Sequence, residues 1–136
     1  MKRLYTLFIV TIALTLTACN KETATTQTDV MNAMIANKTW YLDYSVTGSA
    51  TKSYVGQSTY FVTYLKDGSI KDSDGLTGIY TVELINGKSQ IHVQVKTANG
   101  NPLEVIYDII SVGDSKMILA KQVTSGAATQ MYFTNK

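Results

Sequence analysis

The chain has 136 residues, 45% hydrophobic and 16% charged, a balance that suits one packed domain and excludes a disordered chain or a polytopic membrane bundle. Its formal net charge of +2 comes from Lys2 and Arg3; without them, ten basic side chains stand against ten acidic ones. No Lys/Arg cluster marks a basic face, so nucleic acid is not an expected partner, and the single cysteine, Cys19, excludes an internal disulfide and a multi-cysteine zinc site.

Residues 1–18 are predicted to be a signal peptide. Lys2 and Arg3 give a positive start, and the run from Leu4 to Leu16 is apolar with threonines interspersed. As a helix that run would rise only about 20 Å, short of the roughly 30 Å hydrocarbon core, so it is no ordinary membrane span. Small residues then precede a boundary, as in secretory signals. The boundary Leu16-Thr17-Ala18-Cys19 resembles the lipobox of bacterial lipoproteins. The resemblance implies cleavage before Cys19, a diacylglycerol on its sulfur and an acyl chain such as palmitate on the new amine. Cys19 is thus the expected lipidation site, and lipid on it the expected link to a membrane.

The residue after Cys19 is Asn20, whereas aspartate there retains lipoproteins in the inner membrane in the enterobacterial pattern. The resemblance therefore implies the outer membrane of a bacterial envelope. Asn20-Lys21-Glu22 is also faintly similar to the export tag of surface lipoproteins in Bacteroidetes, with one acid present. It leaves the periplasmic and surface sides both open.

Residues 19–28 comprise the anchor and a Thr-rich stretch without apolar periodicity, read as a flexible tether. A folded domain is expected over 29–136. It starts with a short helix capped by Thr28 or Asp29, with Val30, Met31, Met34 and Ile35 on one face and a left-handed stop at Asn37. The methionines read as core packing.

From Trp40 onward Thr, Val, Ile and Tyr dominate, and Pro102 is the only proline. Eight strands are predicted, over 39–47, 58–66, 69–72, 78–85, 89–97, 103–112, 116–124 and 128–134. Between them lie Gly-, Asn- and Asp-rich turns such as Asn86-Gly87 and Gly113-Asp114. Gly87, Gly100, Gly113 and Gly126 recur every thirteen residues, the beat of an up-and-down meander.

Alternation shows which side is buried. Ile91, Val93 and Val95 oppose Gln90, His92, Gln94 and Lys96, while Tyr80, Val82 and Leu84 oppose Thr81 and Glu83. Two segments, 59–65 and 104–112, fit either assignment. Eight short strands avoid exposed edges most simply by closing, so the expected fold is all-β, an eight-stranded antiparallel up-and-down barrel with a short N-terminal helix.

A plug helix leading to a tryptophan on the first strand, then a meander, resembles the lipocalin-like barrels. Residues 37–48, 53–82 and 91–101 are similar to small lipocalin-like lipoproteins of gut Bacteroidetes, most specifically in Trp40, the turn Lys66-Asp67-Gly68 and Gly78-Ile79-Tyr80. Lys38 stands where the lipocalin Gly-x-Trp signature has glycine. The resemblance implies that Trp40 packs across the closed end.

Chemistry is sparse. His92, the only histidine, lies on the polar side of its strand with no acid nearby in sequence, and reads as a solvated residue. Asp67, Asp72 and Asp74 cluster beside glycines, but with Gly75 at loop position six the first and twelfth EF-hand positions fall on Ile70 and Thr81. No metal site is assigned, and acidic turns are the simpler explanation. Asp43, Glu83, Glu104 and Asp108 share no signature joining them as catalytic carboxylates. No catalytic residue, enzyme activity or cofactor is expected.

Tyrosine is the remaining feature, combining apolar area with a hydroxyl. Trp40, Tyr44, Tyr80 and Tyr107 are the candidate ligand-binding residues, the tyrosines pointing into a cavity with Trp40 at its floor. The expected function is non-catalytic binding of a small, partly apolar ligand. The alternative is a solid barrel whose surface engages an envelope protein or a glycan, since eight strands suffice for either.

Overall fold

Strand-forming residues separated by tight turns build one continuous sheet that closes on itself. The computed structural model describes residues 22–56, 60–96, 100–121, 123 and 125–136. Signal segment 1–18, Cys19 and the export-tag residues Asn20 and Lys21 lie outside the described residues, as do the expected strand ends at 58, 59, 97, 122 and 124. A helix, α1 (Glu22–Ile35), precedes nine strands: β1 (Lys38–Thr47), β2 (Ala50–Ser53), β3 (Phe61–Tyr64), β4 (Ser69–Asp72), β5 (Thr77–Ile85), β6 (Lys88–Lys96), β7 (Pro102–Val112), β8 (Lys116–Lys121) and β9 (Thr129–Asn135). Strands β3 to β9 pair in sequence, and β1 joins β9 on one edge and β3 on the other. Every pairing is antiparallel, giving a closed eight-stranded lipocalin-like barrel with one short helix.

The extra strand β2 was not expected from the sequence. It pairs with the second half of β1, and β3 pairs with the first half, along the same edge. Tyr44 faces Ser53 and Tyr41 faces Phe61, so three steps along β1 correspond to eight along its partner. β2 and β3 are thus one barrel strand interrupted by five additional residues. All four β2 residues are exposed, so no buried face left an apolar alternation to read.

Helix α1 also begins earlier than expected. It starts at Glu22, inside the segment 19–28 read as a tether, because lack of apolar periodicity does not forbid a helix that continues from a packed turn. Its end agrees with expectation: Asn37 has φ +57° and its side-chain oxygen accepts from the Lys66 amide. Ile35 is buried, and Met31 and Met34 are partly so, but Val30 stays 49% exposed.

The helix defines the barrel's closed end. Trp40 is fully buried there, and its indole N–H donates to the Ile35 carbonyl at 3.2 Å, satisfying a carbonyl that the helix terminus leaves open. Lys38 lies over the Trp40 ring and donates to the Asp114 carbonyl, tying β1 to the β7–β8 turn. The turns 65–68, 86–87 and 113–115 lie at this end. At 86–87 both residues have positive φ, Asn86 at 52° and Gly87 at 76°, as a two-residue hairpin needs to follow the strand twist. Turns 48–49, 73–76 and 100–101 belong to the opposite, open end.

Candidate functional site

Two bulges decide which side chains enter the barrel. In β1 the register against β9 shifts between Leu42 and Tyr44, making Asp43 an additional residue. Trp40 and Leu42 point inward with Phe133, but after the bulge Tyr44 pairs with the outward Tyr132 and stacks on it at 4.3 Å between ring centroids. Tyr44 is therefore not a cavity residue, contrary to the strict alternation assumed from the sequence. Asp43 is held in place by its carbonyl, which accepts from the Tyr54 amide, and by its carboxylate, which accepts from Thr134. The second bulge, between Ile109 and Ser111 in β7, leaves Ile110 54% exposed.

Within the barrel lies a cavity of about 300 Å³. Its apolar wall comes from alternate residues of several strands, among them Val62, Ile70, Val93, Val105, Leu119 and Phe133. Toward the open end it reaches Leu76 and Leu103, 37% and 47% exposed, and the exposed Lys121. Tyr60, Tyr64 and Tyr107 bring three phenols into this wall, and Asp72 brings a carboxylate.

Of the four candidates named from the sequence, Tyr107 lines the cavity. Trp40 lies below it, beside its strand partner Val62, which forms part of the lining. Tyr80 is buried and packs edge-on against Tyr64 at 4.9 Å, but its hydroxyl turns away to donate to the Leu65 carbonyl at 3.0 Å. It supports the wall from behind. Tyr60 and Tyr64 were missed because their segment alternates aromatic and aliphatic residues on both faces. Only the pairing of Trp40 with Val62 fixes Val62 and Tyr64 as inward.

The polar groups of the cavity differ in how far they are committed. Asp72 Oδ1 accepts from the amides of Asp74 and Leu76, and Oδ2 accepts from the Tyr60 hydroxyl at 3.3 Å. Burial foremost, then the Asp72 charge, pushes the Tyr60 phenol well above the ordinary 10.0. Burial pushes Tyr64 up as well, reinforced by Tyr107, Tyr60 and Tyr80, and burial alone raises Tyr107. Among the described residues neither the Tyr64 nor the Tyr107 hydroxyl has a hydrogen-bond partner. Ser89 Oγ is the one enclosed side-chain polar atom without a partner among the described residues, so these two phenol oxygens border the open cavity and can donate to what occupies it.

The other sequence candidates resolve into local structure. His92 is on the outer face as expected, but its side chain is only 16% exposed, with Glu104 3.5 Å from Nδ1 and Gln90 3.3 Å from Nε2. The acid comes diagonally from the neighbouring strand, where reading along the chain does not find it. Gln90 in turn donates to Asp108 at 2.8 Å. Asp67 accepts from the Ser69 amide and hydroxyl, which holds its carboxyl below the usual range, and Asp72 organises the next turn. These carboxylates serve turns, and among the described residues no three His, Cys, Asp or Glu side chains are grouped as metal ligands. Comparisons with protein families, with curated proteins and with solved structures found no match.

Proposed function

We propose that this chain is a lipid-anchored protein of the bacterial cell envelope whose barrel binds a small, partly apolar ligand without transforming it. The observation that carries the ligand reading is the 300 Å³ cavity, apolar over most of its wall, with convergent phenols. That volume lies at the small end of ligand sites, so the occupant is a compact molecule and not a long-chain lipid. It favours ligand binding over a barrel filled by its own side chains. Among the described wall residues Tyr60 meets a carboxylate, Asp72, but burial and that charge hold the phenol protonated, so binding is preferred to catalysis.

The anchor rests on Cys19 and the residues before it, together with the relationship to lipocalin-like lipoproteins of Bacteroidetes that the sequence suggests. Each buried methylene contributes about 0.8 kcal/mol, so two or three acyl chains hold a protein stably at a membrane where one is marginal. Without aspartate at position 20, the outer membrane is the proposed location.

Native mass spectrometry of the protein purified from its own envelope tests the ligand reading. A stoichiometric adduct of small mass is expected, and a bare chain in every preparation would contradict it. Metabolic labelling with palmitate tests the anchor: Cys19→Ala should abolish the label, and undiminished labelling would remove the lipid from the account.

A further inference from the structure

The two phenols that lack a hydrogen-bond partner among the described residues narrow the ligand class. Tyr64 is 2% exposed and Tyr107 is partly buried, both within the same cavity wall. Their neighbours are already engaged: Tyr60 donates to Asp72, and Tyr80 donates to the Leu65 carbonyl. Tyr64 and Tyr107 line one cavity of about 300 Å³, and burial raises both phenols, which keeps them protonated at physiological pH. Each therefore has an O–H to give, and what is missing is an acceptor.

The same wall argues against a buried anion as that acceptor. The carboxylate of Asp72 faces the cavity, while Lys121 is exposed at the rim. A carboxylate or phosphate carried down to the phenols would lose its water, meet apolar side chains and gain no buried cation. A carbonyl oxygen has two lone pairs and no net charge, so it can take both O–H groups without that penalty.

We propose that Tyr64 and Tyr107 select a neutral, carbonyl-bearing apolar molecule, its oxygen accepting from the two phenols and its hydrocarbon part filling the Val, Ile and Leu wall. This rests on the reading of the cavity as a ligand site. Selectivity arises because an isostere without the acceptor leaves both hydroxyls unpaired, whereas a ligand carbonyl satisfies them.

Three probes of similar shape separate these contributions: 2-acetylnaphthalene, 2-isopropylnaphthalene and 2-naphthoate. Their affinities are measured by equilibrium dialysis on the full chain in lipid nanodiscs, against protein-free nanodiscs. The ketone should bind about tenfold or more tightly than either the hydrocarbon or the carboxylate. In the double variant Tyr64→Phe/Tyr107→Phe the ketone should lose that advantage while the hydrocarbon still binds. Tyr107→Phe alone, the milder change, should lose part of it and guards against misfolding of the pair. Equal affinity for ketone and hydrocarbon, a preference that survives both phenylalanines, or tightest binding of the carboxylate would each overturn the proposal and leave the cavity reading standing. If none of the probes binds, the cavity reading falls with it.

Discussion

The two ends of the barrel are built from the same strands and do opposite things. At the closed end α1, Trp40 and the buried Ile35, Ile91 and Met117 fill the interior, and a backbone carbonyl left over from the helix finds the indole N–H. There the main exception among the described residues is Ser89 Oγ, buried without a hydrogen-bond partner beside the groove that Gln27 and Met31 border. Toward the open end the interior is a cavity, and of its phenols Tyr60 donates to Asp72. Tyr107 and Tyr64, the latter entering from the closed-end side opposite Lys38, have no hydrogen-bond partner among the described residues. The difference teaches where the sequence spends its large side chains. Closed-end bulk fastens the ring of strands, and the open end is left underfilled at some cost in stability, which a bound molecule would offset.

Trp40→Ala should have the largest effect, because it empties the plug and leaves the Ile35 carbonyl unpaired. A loss of about 3–5 kcal/mol in urea denaturation is expected. A loss below about 1 kcal/mol would mean that Trp40 does not fasten the closed end.

The same substitution chemistry applied at both ends should divide them. Ile91→Phe, in the filled region, should overpack and cost about 1–3 kcal/mol. Val105→Phe, in the cavity wall, has space to enter and should change stability by less than about 1 kcal/mol while abolishing binding of 2-acetylnaphthalene. Equal costs at the two positions would erase the contrast.

Alkaline pH sharpens it further. Tyr60, Tyr64 and Tyr107 have folded pKa values above the ordinary 10.0, so the neutral phenol is the form that the fold favours. Their contribution to stability is full below pH 10 and is lost as pH rises from there toward the raised values. Denaturation midpoints should be insensitive to these groups up to about pH 9 and fall above pH 10, less steeply in Tyr64→Phe. An identical slope in the variant would contradict the assignment.

Tyr44→Ala marks the low end of the scale. The ring stacks on Tyr132 at the surface, so about 0.5–1.5 kcal/mol of stability and no ligand affinity should be lost. Weakened binding would place Tyr44 back in the cavity.

Much of the fold was legible because the domain obeys period two. Ile91, Val93 and Val95 alternate along β6, and the turns carry the Gly and Asn residues their geometry requires, so eight of the nine observed strands overlap those expected, with β2 the exception. Legibility fails where period two breaks. Asp43 and Ile110 each insert a residue that reverses every side chain beyond it, and nothing in Leu42-Asp43-Tyr44 announces a bulge. That one residue moved Tyr44 from the expected cavity to the outer face. Tyr60 and Tyr64 were hidden for another reason, since strands with two apolar faces acquire an inside only when their partner's register is known. Pairings across the ladder, such as His92 with Glu104, are likewise absent from a one-dimensional reading.

The most direct test of the central claim uses the methionine methyl groups as reporters of the two ends. Met131 lines the cavity, and Met31 lies against the groove beneath α1. In a ¹³C-methyl NMR titration of the full chain with 2-acetylnaphthalene, the Met131 resonance should shift and saturate while Met31 stays in place. A Met31 shift without one at Met131, or no saturable change at either, would contradict an open-end ligand cavity above a filled closed end.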